Sequence, residues 1–129
     1  EYGGYASIER TLGSNLVVYG RFGVANAEVS RIGLYAGGGI VHNGGLLSDR
    51  DDPIGFAFGY ARNGGEDEDA MHAAGVDVTS GEQAYELTWR IPFGEHLVLQ
   101  PDVQYVVDPD TNPDIADALV LILRVELSL

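Results

Sequence analysis

The chain is 129 residues long, carries a formal net charge of −13 and contains no cysteine. These totals exclude a disulfide framework, a thiolate metal site and a cysteine nucleophile, and they argue against nucleic acid, which is met by clustered Lys and Arg. The longest strongly apolar run is ALVLIL at 118–123, far short of the ~20 residues of a transmembrane helix, so a membrane crossing would need β-strands of ~9–11 residues.

In chain order the pattern predicts about seven strands and no long helix. Residues 2–11 alternate weakly and end at a turn signal, 13–15. Residues 16–25, LVVYGRFGVA, place Leu16, Val18, Gly20, Phe22 and Val24 on one face and Val17, Tyr19, Arg21 and Gly23 on the other. A period of two is the mark of a strand with two unlike faces. Residues 31–42 repeat it with many glycines, which weaken a strand unless something must approach closely. A polar loop over 43–53 precedes the cleanest alternation, 54–62, with Ile54, Phe56, Phe58 and Tyr60 against Gly55, Ala57, Gly59 and Ala61. The stretch 63–81 reads as a long polar loop with room for one helical turn at 70–74.

Three further strands follow, over 82–93, 97–107 and 118–129, joined by a short turn at 94–96 and a long loop at 108–117. Residues 114–123 also fit a helix capped by Asp114, but the alternation running to the terminus favours a strand. Connection lengths tend to alternate between short and long, as in barrels with short turns at one end; 26–30 and 43–53 break that order. Trp89, Phe93, Tyr60 and Tyr105 are candidates for interfacial girdles.

The faces read as apolar on one side and wet on the other. From residue 16 onward no charge is expected on the apolar face within a strand, where a mid-membrane Lys or Arg would cost ~2–4 kcal/mol. Arg21, Glu86, Arg90, Asp102, Gln104, Arg124 and Glu126 fall on the opposite face. A soluble β-sandwich acting as a carbohydrate-binding or adhesion module would alternate in the same way. Against it stand small residues and mixed charges on the polar face, and the absence of a polar tail.

The stretch ELTWRIPFGEHLVLQPDVQYVVDPDTNPDIADALVLILRVELSL, 86–129, closely resembles the C-terminal end of carbohydrate-selective porins of the OprB family, with LQPDVQYVVDPDTNPDIADALVLILR at its centre. The glycine-rich strand, the Asp-Arg-Asp-Asp-Pro turn and GFAFGYA within 33–61 are similar to the family, as is Tyr19-Gly20-Arg21-Phe22-Gly23. The resemblance implies an all-β, antiparallel up-and-down meander, the C-terminal portion of a bacterial outer-membrane barrel of about sixteen strands. It implies passive diffusion of small sugars such as glucose, contact with outer-membrane lipid, and no cofactor. Seven strands do not close such a pore, so the whole chain, 1–129, is expected to be one barrel segment of a longer protein. Two features depart from the family pattern: Leu129 stands where these barrels end in an aromatic, and the 63–81 loop is unusually acidic.

On this reading Arg21, Glu86, Arg90, Asp102, Gln104, Arg124 and Glu126 line the pore and contact sugar, carboxylate and guanidinium groups meeting hydroxyls. The competing reading is a network of ion pairs that only holds the wall's shape. Glu66, Asp67, Glu68 and Asp69, and Asp108, Asp110 and Asp114, could offer Ca²⁺ oxygen ligands but lack EF-hand spacing, which favours solvated loops. His42, His72 and His96 are scattered, no zinc motif is present, and no nucleophile motif or triad supports catalysis.

Overall fold

The computed structural model describes residues 2–26, 32–45 and 51–128, excepting the side chains of 66 and 67. Eight strands form one antiparallel sheet: β1 Gly3–Leu12, β2 Leu16–Ala25, β3 Ile32–His42, β4 Ile54–Asn63, β5 Gly81–Trp89, β6 Ile91–Phe93, β7 Leu97–Val107 and β8 Ala118–Leu127. Each pairs with its sequence neighbour, except that β5 and β6 both pair with β7, which pairs with β8 on its other side. The sheet is therefore a meander seven ranks wide. β1 and β8 do not pair with each other. The short connections β1–β2 and β6–β7 turn on Gly13 (φ +66°) and Gly94 (φ +68°), left-handed positions that suit a residue without Cβ.

The expected strand over 82–93 is divided at Arg90. Both halves keep one register, since Thr88 pairs with Asp102 and Ile91 with Leu99, each three steps on. That register sets Trp89 opposite Pro101, whose nitrogen has no hydrogen to give to a ladder. On the strand's other side, Arg90 N–H continues the β4 pairing by one step, donating to the Pro53 carbonyl at 2.9 Å. The 114–123 stretch is strand from Ala118 onward, as the alternation favours.

The helical turn expected at 70–74 is a nine-residue helix, α1, Gly65–Ala73. It begins five residues earlier, with the acidic Glu68 and Asp69 in its N-terminal half, where they complement the positive end of the helix dipole.

Cross-strand partners share a face, so the register sorts the side chains. One face carries Phe22, Ile40, Phe56, Phe58, Leu87, Val103, Tyr105, Leu121, Leu123 and Val125, all exposed. Phe58 and Tyr85 meet there with ring centroids 5.2 Å apart. Among the described residues no hydrophobic side chain is buried. A sandwich would hide one of its faces against a second sheet; this sheet has no second layer. Arg10 in β1, paired with Val18, lies on the apolar face; from residue 16 onward one charge among the described strands does so, against expectation: Arg62, paired with Leu34. It lies next to the end of β4, where the cost of a cation falls to ~0–1 kcal/mol. Trp89 lies level with Ile54, the first residue of β4, and its Nε1–H donates to the fully buried Asp52 at 3.1 Å. It therefore sits at a strand end rather than deep in the sheet.

The two long connections at the other end are fastened together. Asn63 and Thr111 are both buried, and Asn63 Nδ2 donates to Thr111 Oγ1 at 2.8 Å. Thr79 N–H donates to the Thr111 carbonyl at 2.8 Å, and Asp110 N–H to Glu82 Oε2 at 2.6 Å. Asp117 accepts from Tyr105 Oη at 2.7 Å and from Asp108 N–H at 3.2 Å. These bonds hold Asp108, Asp110 and Thr111 at φ of 52°, 58° and 53°, unfavourable for residues with Cβ and most of all for a β-branched one. Removing the Asn63 amide leaves a buried hydroxyl with one partner fewer, at about 1–3 kcal/mol. Asn63→Ala is expected to speed proteolytic cleavage within 108–117 severalfold while the sheet persists. An unchanged cleavage rate would show that the amide does not hold the loop.

Candidate functional site

The face opposite the exposed aromatics carries a trough whose floor is nearly bare backbone. The register aligns Tyr19, Gly39, Ala57, Glu86 and Gln104 in one row across β2 to β7, and Arg21, Gly37, Gly59 and Ala84 in the next. The small residues form the floor. Tyr19, Arg21 and Tyr35 rise on one side; Glu82, Glu86 and Gln104 rise on the other. The trough encloses about 290 Å³.

The glycines follow from the tyrosines. A Cβ on Gly39 would lie 2.6 Å from Tyr19 Oη and 2.7 Å from the Phe56 carbonyl oxygen. One on Gly37 would lie 2.6 Å from Tyr35 Oη and 3.0 Å from the Phe58 oxygen. Each ring thus lies over a neighbouring glycine, covering backbone that would otherwise be exposed. The Arg21 guanidinium stands 5.8 Å from the centre of the Tyr19 ring, within cation–π range.

All seven residues expected on the wet side lie on this face, but in three groups. Arg21, Glu86 and Gln104 line the trough. Glu86 and Gln104 also border a smaller cavity of about 100 Å³ with Gln100, Asp102, Ile122 and Arg124. Arg90 and Glu126 form an exposed ion pair at 3.3 Å and line neither cavity. Exposed ion pairs of this kind contribute ~0–1 kcal/mol. Sequence reasoning placed Tyr19 and Tyr35 on the right face without singling them out. The available signal was two tyrosines beside glycines on the same face of adjacent strands.

Among the described residues no group of three or more His, Asp or Glu side chains could hold a metal. The carboxylates of 66 and 67 lie outside the described side chains, and Asp108, Asp110 and Asp114 take part in the bonded loop. The described residues contain no helix long and apolar enough to cross a membrane, which does not bear on crossing by strands.

The whole sequence, residues 1–129, matches the family described as carbohydrate-selective porin, OprB family. No curated protein matches the sequence. Among solved structures the fold is similar to that of OprB from Pseudomonas putida, determined at high pH, with a TM-score of 0.79 and 19% sequence identity. The superposition covers 97% of this chain and 34% of that one, so the chain spans about a third of that protein's length.

Proposed function

This chain belongs to the carbohydrate-selective porin, OprB family, and we propose on that premise that it forms part of the wall of an outer-membrane sugar channel. The exposed apolar face meets lipid, and the tyrosine–glycine trough faces the aqueous path. The two edge strands, β1 and β8, are then continued by further strands of a longer barrel, which leaves no open edge. Trp89 and Phe93 mark one membrane boundary; Tyr60 and Tyr105 mark the other.

The trough carries this reading. A pyranose has C–H faces that pack on aromatic rings and an equator of hydroxyls that needs donors and acceptors. Tyr19 and Tyr35 offer the rings, Arg21 the donor, and Glu82 and Glu86 the acceptors. A volume near 290 Å³ equals about ten waters' share of liquid, at ~30 Å³ each, which is space for one small sugar such as glucose. The floor is open to its surroundings, so binding is weak and the sugar leaves as readily as it enters. The role is passage, with no chemical step.

Sugar block of ion current through the full-length protein in a planar bilayer tests this. Tyr19→Ala or Tyr35→Ala is expected to weaken glucose block two- to twelvefold, the effect of losing about 0.5–1.5 kcal/mol of ring contact. Conductance in the absence of sugar should not fall. Equal block of the native channel by glucose and by a size-matched amino acid would overturn the assignment to sugars.

A further inference from the structure

We propose that the channel wall binds a two-ring sugar, a disaccharide of pyranoses, with its second ring in a cleft on the far side of Tyr19 and Arg21 from the trough. The inference rests on the trough holding a sugar ring.

The starting observation is a second cavity of matching size on the same face. It encloses about 320 Å³, beside about 290 Å³ for the trough. Tyr19 and Arg21 line both. From that shared pair the two cavities run in opposite directions. The trough extends through the row of Tyr35, Ala61 and Glu82 toward the long connections. The cleft extends through the row of Val17 and Val41 to Asn43, toward the short turn at Gly13. The register sets Glu9 opposite Tyr19 and Ser7 opposite Arg21, so both stand on the wet side. From the glycine floor on β3 to Glu9 on β1 is two strand spacings, about 10 Å, the reach of two linked pyranose rings.

The chemistry of the cleft suits a sugar ring, though more weakly than the trough does. Glu9 offers a carboxylate acceptor, and Ser7 and Asn43 offer groups that both donate and accept. Val17 and Val41 supply apolar surface for C–H groups. Arg21 carries a fork of N–H donors between the two cavities, so it serves hydroxyls on either side. Among the described residues no ion pair joins it to Glu9, which leaves that carboxylate to accept from a ligand. The trough has two tyrosine rings and the cleft shares only one of them, so a single pyranose prefers the trough. A second ring linked to the first meets the cleft at high effective concentration. Its weak contacts then add to the affinity without a new loss of translational freedom.

Block of ion current through the full-length protein in a planar bilayer by glucose, maltose and cellobiose tests the site. At least one disaccharide is expected to block about fivefold more tightly than glucose. Glu9→Gln should bring that disaccharide down to the level of glucose while leaving glucose block itself unchanged. Glu95→Gln in the β6–β7 turn, the same loss of charge at the same end of the sheet, should alter neither. If Glu9→Gln does not insert, Val17→Phe, which fills the cleft, carries the same test. Equal block by all three sugars, or equal weakening of glucose and disaccharide by Glu9→Gln, overturns the proposal. A native channel blocked alike by glucose and by a size-matched amino acid would instead remove the sugar reading, and this inference with it.

Discussion

Leu87→Arg is expected to destabilise the folded protein in lipid vesicles by about 2–4 kcal/mol, the cost of a cation at mid-membrane on the outer surface of a β-barrel. Leu87 stands between Phe56 and Val103 on the apolar face and is 46% exposed. In a water-soluble sheet an arginine at so exposed a site would be nearly neutral. Ala84→Arg is the matched control: it lies three residues away on the same strand but faces the trough, in the row of Arg21. It should stay within about 1 kcal/mol of the native protein, because charged substitutions on the lumen side tune selectivity rather than stability. Guanidinium unfolding of the vesicle-embedded, full-length protein measures both. Similar losses in the two variants would sink the assignment of lipid and water to the two faces.

Gly39→Val is expected to abolish most of the sugar block, by tenfold or more. Its Cβ would meet the end of the Tyr19 ring at 2.6 Å, where the ring can swing aside, and the Phe56 carbonyl oxygen at 2.7 Å, where only a backbone shift gives relief. Overpacking of this kind costs about 1–3 kcal/mol, so the sheet should still form. The ring would be lifted from the floor and the trough filled. Because the glycine acts through the ring, Gly39→Val and Tyr19→Ala should not add in a double mutant. Additive effects would mean that the glycine serves backbone approach alone.

Much of the architecture was readable because a strand between two unlike surroundings writes its faces at every second residue. β2 and β7 begin and end where the alternation says, and the neighbouring strands differ by a residue or two. Features with no periodic signature were missed. α1, GEDEDAMHA, gathers its few apolar residues at its C-terminal end, so no apolar stripe announces it. The break at Arg90 originates in Pro101 on the facing strand, and such a cause is invisible until the register is known. Arg62 was overlooked because strand ends relax the rule that the middle obeys. Of the residues lining the trough, Arg21, Glu86 and Gln104 stand out in the sequence by type, whereas the tyrosine rings gain meaning only from the glycines they cover, Gly39 on the next strand for Tyr19 and Gly37 two residues along for Tyr35. The ties joining Asn63, Thr79 and Thr111 link residues up to 48 positions apart, and nothing local records them.

The constancy of the register also limits how such a sheet can vary. Among the described pairings only one irregularity interrupts it, between Ile32 and Leu34 at the start of β3. Everywhere else each rank inherits its two-sidedness from the one before. Inserting one residue in the middle of any rank would turn the rest of that strand over, sending carboxylates to the oily side and leucines to the wet one. Two inserted residues would preserve the sides and only lengthen the strand. The sheet therefore behaves like a text with a reading frame of two, in which single-letter slips are tolerated only in the connections, or where an irregularity already absorbs one.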